Sequence, residues 1–274
     1  MNFVELGKTG ERIPALGMGT WQIDADPDEG IAALRLGFDQ GMKLVDTAER
    51  HMNEELIGRA IGDRSDIFVA TKVYQTHYRH DDVIKSCNAS IASLGRKIDL
   101  YQLHWPKDKF GETPPRKETM GAMEELVRQG KIRYIGVSNF SIQDLEEAMS
   151  VMKQNDIVSN QVEYSLMARG IEEGLLDFCK REKITVLAYK PLGRGSIPQD
   201  KSSELYRELS DIGMRHGKTA VQTALNWVIS KGNICAIPKA GNRDHVLENA
   251  GSCGFELTQG ELGILDRLTS KKGQ

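Results

Sequence analysis

The chain has 274 residues, 39% of them hydrophobic and 27% charged, with a formal net charge of −3. That composition supports a substantial soluble core, and the charge gives no electrostatic reason to expect nucleic acid or an anionic membrane as partner. No apolar run reaches the roughly 18–20 residues a membrane span needs, and "MNFVELGKTGERIP" lacks the apolar stretch of a secretory signal, so a cytoplasmic location is expected. Cys87, Cys179, Cys235 and Cys253 lie far apart without metal-ligand spacing and read as buried free thiols of a reducing compartment.

In chain order, "FVELGKTGERIP" predicts a hairpin ahead of the first strand, 15–23. A helix over 28–41 follows, with Ile31, Leu34, Leu36 and Phe38 on one face. "KLVDTA" precedes "NEELIGRAIG". The strand 67–73 precedes a helix whose Val83, Ile84, Cys87, Ile91 and Leu94 recur at helical spacing and which stops at Gly95. The pattern repeats in 98–105 with "KETMGAMEELVRQGK", 132–138 with "SIQDLEEAMSVM", and 157–165 with "IEEGLLDFCKREK". It continues in 184–190 with 219–232, and in 233–239 with "NRDHVLENAG", before a closing helix within 252–271. "KDKFGETPPRKE" (107–118) and "KSSELYRE" read as loop and solvated helix face.

Strands separated by helices are parallel, because each helix returns the chain to the same end of the sheet. Eight such units without a linker between them predict one α/β domain over 1–274, a single (β/α)8 TIM barrel. A doubly wound open sheet is the alternative, weakened because no GxGxxG follows the first strand. The expected ends of the strands carry Trp21, Asp46, Lys72, His104, Ser138, Asn139, Gln161, Tyr189, Lys190 and Lys239. A barrel keeps its reactive groups on that rim, and charges near a packed interior are costly unless paired, so their convergence points to a site. His77 and His80 are too loosely spaced to suggest a metal.

The segments "LGMGTWQ", "DTAE", "ATKV", "DLYQLHWP", "GKIRYIGVSNF", "NQVEYS", "AYKPLGRG" and "AIPKAGNRDHVLENAG" stand in this order over nearly the whole chain. In them the sequence resembles the aldo-keto reductases, in the shorter-loop form of prokaryotic members. The resemblance implies a (β/α)8 barrel that binds NADPH across the rim and reduces aldehydes and ketones by hydride transfer. It implies a small-molecule carbonyl substrate and a monomer. In that family a tyrosine phenol protonates the nascent alkoxide, its pKa lowered by a lysine that an aspartate holds, while a histidine orients the carbonyl. Carried onto this chain, the aspartate is Asp46, the lysine Lys72 and the histidine His104. Ser138, Asn139 and Gln161 would bind the nicotinamide amide, Tyr189 would stack on its ring, and Lys190, Pro191, Leu192 and Gly193 would follow the pyrophosphate. Lys239, Ala240, Gly241, Asn242, Arg243 and His245 would surround the 2′-phosphate, with Glu248 and Asn249 near the adenine. Trp21 and Trp105 would line a pocket for apolar or aromatic carbonyl compounds.

The chain departs from the family at several places. Lys190 replaces a usual serine, with two roles open: along the pyrophosphate, or projecting into the mouth. Ala240 removes a phosphate-binding hydroxyl and His245 replaces a frequent arginine, for which Arg243 could compensate. These changes soften the preference for NADPH over NADH. The tyrosine is expected five residues after Asp46, and His51 stands there. Arg50, His51 and Met52 are three departures in a row, where an apolar residue, the tyrosine and a glycine are expected, while both flanks match. That reads as a rebuilt loop, whether natural or engineered.

Four readings follow for His51: a weaker proton donor in an impaired reductase; a nucleotide-binding barrel without turnover; a nucleophile or general base beside Lys72 and His104; or a shifted loop with His51 facing solvent. An unperturbed imidazolium has a pKa of about 6.5. Lys72 would lower it and Asp46 would partly offset that, so residual reduction is expected to rise toward acid pH.

Overall fold

Alternation along a strand sends successive side chains to opposite faces, and this decides what fills the barrel. The structure, a computed structural model, describes residues 1–107, 113–239 and 241–270. Strands β1 (Phe3–Glu5) and β2 (Arg12–Pro14) pair as an antiparallel hairpin. The parallel sheet then runs in chain order through β3 (Met18–Gly19), β4 (Leu44–Asp46), β5 (Phe68–Val73), β6 (Ile98–Leu103), β7 (Ile132–Ser138), β8 (Ile157–Glu163), β9 (Thr185–Tyr189) and β10 (Ile234–Ile237). Its two edges meet. Leu16 and Gly19 form parallel bridges to Ala236 and Lys239, and the Gly17 N–H donates to the Ala236 carbonyl at 2.8 Å. The sheet is a (β/α)8 barrel and not an open one.

The helices are α1 (Pro27–Asp39), α2 (Glu54–Ile61), α3 (His80–Leu94), α4 (Arg116–Arg128), α5 (Ile142–Val151), α6 (Leu175–Glu182), α7 (Ser196–Gln199), α8 (Glu204–Arg215), α9 (Ala220–Ser230), α10 (Arg243–Ala250) and α11 (Gln259–Leu268). Polar caps start several of them. Asp26 accepts from the Glu29 N–H, while Ser141, Thr219 and Thr258 form reciprocal capping boxes with Asp144, Gln222 and Glu261. The segment 15–23 contributes only two ladder residues, because the chain turns at Trp21 and Gln22 takes a positive φ of 54°. In "KSSELYRE" α8 begins at Glu204 and the residues stay exposed or half-buried, as expected, while Leu209 and Ile212 further along α8 are fully buried; of 107–118, residues 108–112 lie outside the described residues.

Leu44, Phe68, Ala70, Leu100, Leu187, Cys235 and Ile237 fill the barrel interior together with Leu6 and Ile13 of the hairpin, so the hairpin plugs the bottom. Their strand neighbours Val45, Val69, Tyr101, Val186 and Ala236 face the other way, into the layer under the helices. The four cysteines are free and buried. Among the described residues no helix is long and apolar enough to cross a membrane.

Gly7, in the hairpin turn, has a φ of +57°, and its N–H donates to the Thr185 hydroxyl at 2.8 Å. A Cβ there would lie 2.8 Å from Val158 Cβ and 2.9 Å from Val158 Cα. Gly7→Ala therefore adds a left-handed strain of about 1 kcal/mol to a backbone collision. The expected outcome is an unfolding free energy lowered by about 2 kcal/mol, seen in equilibrium unfolding as a lower urea midpoint with an unchanged slope.

Candidate active site

The interior rows do not stop at the apolar layer. Two residues beyond Leu44, Ala70 and Leu100 on the same faces come Asp46, Lys72 and Gln102. Asp46 and Lys72 are 3% and 2% exposed, and the ammonium lies 2.7 Å from Asp46 Oδ2. Lys72 also donates to the Thr47 carbonyl at 2.7 Å. Asp46 Oδ1 accepts from the Gln161 amide at 2.7 Å and from Gln102 at 3.3 Å. Burial pushes the Lys72 ammonium below the usual lysine range, against the pull of the Asp46 charge and hydrogen bond.

The chain leaves β4 through one 3-10 turn, Glu49–His51, closed by Met52 in the left-handed conformation at φ 57°. The turn is tied down on both sides. Thr47 donates its hydroxyl proton to Asn53 Oδ1 at 2.7 Å, and Asn53 Nδ2 donates to the Thr20 carbonyl at 2.7 Å. Glu49 accepts from the Tyr74 N–H at 2.9 Å and pairs with His77 Nδ1 at 2.7 Å. With its register held, the turn brings the His51 ring edge-on to Trp21, centroids 4.9 Å apart, and 6.2 Å from the His104 ring.

His104 follows β6, its N–H donating to the Val73 carbonyl at 3.1 Å. Tyr78, fully buried, donates its hydroxyl to the Trp105 carbonyl at 2.6 Å and so anchors the same loop. Tyr74 lies edge-on to His104 at 6.1 Å, and the Trp105 ring is nearly parallel to it at 6.4 Å. Trp21 and Trp105 remain 49% and 37% exposed, so the indoles flank an open mouth. Among the described residues neither imidazole makes a hydrogen bond, and Nδ1 of each is buried without a partner. Buried polar atoms left so are expected where a ligand completes them. Burial first, then the Lys72 charge and then His104, pushes His51 down to about 2. Burial, then Lys72 and then Arg50, takes His104 down to about 3. Both rings are neutral at pH 7. The offset by Asp46 expected from sequence is overridden, because desolvation is the larger cause.

A second network lies beside the first. Ser138 donates to the Gln161 carbonyl at 2.9 Å. Asn139, at φ 62°, donates to the His104 carbonyl and to Ser138 Oγ, both at 3.0 Å, and accepts from the Tyr189 hydroxyl at 2.8 Å. Lys190 Nζ lies 3.3 Å from Glu163 Oε2 and 5.0 Å from the Tyr189 ring centre. On the outer rim Lys239 is exposed, and Asn242 caps α10 by accepting from the Asp244 and His245 N–H groups. Arg243 points across to Glu29, at 3.0 Å. Glu248 accepts from Thr219, and the Asn249 amide donates to the Lys239 carbonyl at 3.5 Å. Ala240 lies outside the described residues.

The aldo/keto reductase family pattern matches residues 15–270. The chain belongs to the aldo/keto reductase family. Among its relatives, the methylglyoxal reductase of Escherichia coli K12 is 37% identical over 263 residues, covering 93% of this chain and 90% of that protein. The glyoxal reductase of Bacillus subtilis 168 is 31% identical, with 94% and 90% covered. A thermostable aldo-keto reductase solved with the inhibitor epalrestat superposes at a TM-score of 0.89 with 42% identity, covering 98% of this chain and all of that one. An aldo/keto reductase from Klebsiella pneumoniae, solved with NADP and acetate, gives 0.87 with 34% identity, covering 98% and 96%.

As a family member, the chain brings Asp46, His51, Lys72 and His104 into one mouth, with Ser138, Asn139, Gln161 and Tyr189 beside them. Of the residues named for the 2′-phosphate and adenine, Lys239, Asn242, Arg243 and His245 lie around the start of α10, and Glu248 and Asn249 near its end. Four contributors escaped the sequence reading: Gln102, Asn53, Glu49 and Tyr78. Gln102 had a readable signal, since it stands near the end of β6, two residues before His104. The others act through hydrogen bonds across distant segments, which spacing does not reveal.

The neutral imidazoles fix a sign for acid stability. Unfolded histidine takes a proton below about pH 6.5, whereas folded His51 and His104 stay neutral down to about 2 and 3. Between those limits the unfolded state binds more protons, so their contribution is full above pH 6.5 and is lost as pH falls. Replacing His51 with Asn should make unfolding free energy fall less steeply between pH 6 and 4, by up to about 1.4 kcal/mol per pH unit, in urea titrations at stepped pH.

Proposed function

We propose that this chain is a slow, NADPH-dependent reductase of small carbonyl compounds, with an imidazole in the place of the proton-donating phenol. The observation that carries this reading is the buried Asp46–Lys72 pair lying behind two neutral imidazoles whose Nδ1 atoms lack partners. Support for the cofactor comes from the Klebsiella pneumoniae relative, solved with NADP and also with NADPH. Support for the substrate class comes from the relatives named as methylglyoxal and glyoxal reductases.

The residues present fit such a cofactor. Tyr189, Asn139, Ser138 and Gln161 form a polar wall around one aromatic face, suited to a nicotinamide. The capped start of α10 with Lys239 and Arg243 nearby suits a phosphate, although Glu29 already shares Arg243. When bound, NADPH supplies the hydride. The chain's own task is then to hold the carbonyl oxygen and protonate it. A neutral His104 can donate an N–H hydrogen bond to that oxygen, and a neutral His51 can do the same from the other side. Neutral imidazole is a far weaker acid than a lysine-assisted phenol, and losing a positioned acid typically lowers rate by about 10²–10⁴. The general-base reading is disfavoured on the same ground, since a ring with a pKa of about 2 binds a proton poorly. With the neutral N–H as donor the expected residual rate is flat across pH 5–9, whereas a route through the scarce imidazolium would climb about tenfold per pH unit toward acid. The rise toward acid read from sequence belongs to the imidazolium route.

NADPH is expected to bind with a modest preference over NADH, measured by tryptophan fluorescence. Failure of both nucleotides to bind below millimolar concentration would remove the cofactor assignment. Restoring the phenol with His51→Tyr, together with Met52→Gly at the left-handed position, should raise NADPH oxidation with methylglyoxal by about 10–10³-fold. No gain in the double variant would sink the impaired-donor reading.

A further inference from the structure

Arg50 is an exposed cation at the lip of the mouth. Among the described residues it makes no ion pair. Its guanidinium lies 4.8 Å over the Tyr74 ring and donates to the Tyr74 hydroxyl. The carboxylate next to it in the chain is turned away, because Glu49 is occupied by the Tyr74 N–H, His77 and Ser86. Two other cations on the rim are paired, Lys190 with Glu163 and Arg243 with Glu29.

The guanidinium is also near the reacting position. The ring beneath it meets His104 edge-on at 6.1 Å, and the Arg50 charge is one of those felt at the His104 imidazole. His51 and His104 are neutral, and Lys72 is locked to Asp46, so neither imidazole competes to hold an anion here. A guanidinium keeps its charge at any working pH and offers a planar fork of donors that matches a carboxylate. Trp21 beside His51, Trp105 beside His104 and Met52 next to Arg50 in the chain, the last 88% exposed, offer apolar surface to the remainder of a ligand.

We infer that Arg50 forms an anion subsite that selects carbonyl compounds carrying a carboxylate next to the carbonyl, namely 2-oxo acids with an apolar side chain. The inference rests on the reductase reading for where the carbonyl lies. The carboxylate pairs with the guanidinium, the adjacent carbonyl oxygen reaches the imidazole N–H groups, and the apolar chain lies against the indoles.

The test uses 4-methyl-2-oxopentanoate and its neutral methyl ester as probes, titrated against the full chain by tryptophan fluorescence with and without saturating NADP+. Arg50→Met should weaken the acid by roughly 10- to 100-fold and leave the ester unchanged. Arg50→Lys should recover part of the loss, since it keeps the charge but not the fork. In the unaltered chain the acid's affinity should be flat from pH 5.5 to 8.5. Equal effects on acid and ester, or no effect on the acid, would overturn the subsite. An affinity that decays as pH rises through 6–7 would also overturn it, by giving the anion to an imidazolium. Failure of NADP+ to bind counts against the reductase reading alone, because the arms without nucleotide still read Arg50.

Discussion

A buried ion pair persists only where other groups complete its hydrogen bonds, and the Asp46–Lys72 pair has such groups around it. Lys72 divides its protons between Asp46 and the Thr47 carbonyl, and Asp46 takes the Gln161 and Gln102 amides on its other oxygen. Removing one partner from a pair like this typically costs about 3–5 kcal/mol, because the other charge stays buried. The site is built outward from it. Gln161 passes the order on to Ser138, Ser138 to Asn139, and Asn139 to Tyr189 and the backbone of His104. One polar network thus joins strands β4 to β9 across the top of the barrel.

The same burial that makes the pair expensive also determines the state of its neighbours. His51 and His104 lie beside a lysine charge in a poorly solvated place, and both effects act against a second positive charge. The mouth therefore offers N–H donors and lacks a strong acid. The turn 49–51 has no freedom to correct this, because Asn53 ties it to Thr20 and Glu49 ties it to Tyr74. Met52 occupies the left-handed region that favours glycine, so the backbone path suits a glycine even though the side chains have changed.

Much of this was legible in the sequence. Short apolar runs alternating with amphipathic runs at helical spacing give the eight strand-then-helix units, and parallel strands returned by helices give the barrel, although α7 was not foreseen. Asp46, Lys72 and His104 were placed on the rim because each closes an apolar run, and the barrel keeps that end open to chemistry. Position 51 was legible for a similar reason, since only four residues separate it from the strand end at Asp46. The buried free state of the cysteines followed from their apolar neighbours.

What the sequence left undecided depended on groups far apart in the chain. Whether His51 titrates near neutrality could not be read from its type or its neighbours, because the answer is desolvation by Trp21 and the strands around it. Nothing in the sequence directs Arg243 to Glu29, or Lys190 to Glu163; the first pairing comes from α10 meeting α1, and the second from β8 and β9 ending side by side. The opposite holds for Arg50, whose adjacent glutamate is drawn off by His77 and Tyr74. Local pattern determined which residues stand on the rim, since alternation is a property of each strand alone. Tertiary structure decided their charge and partners, since burial and pairing are properties of the space between strands.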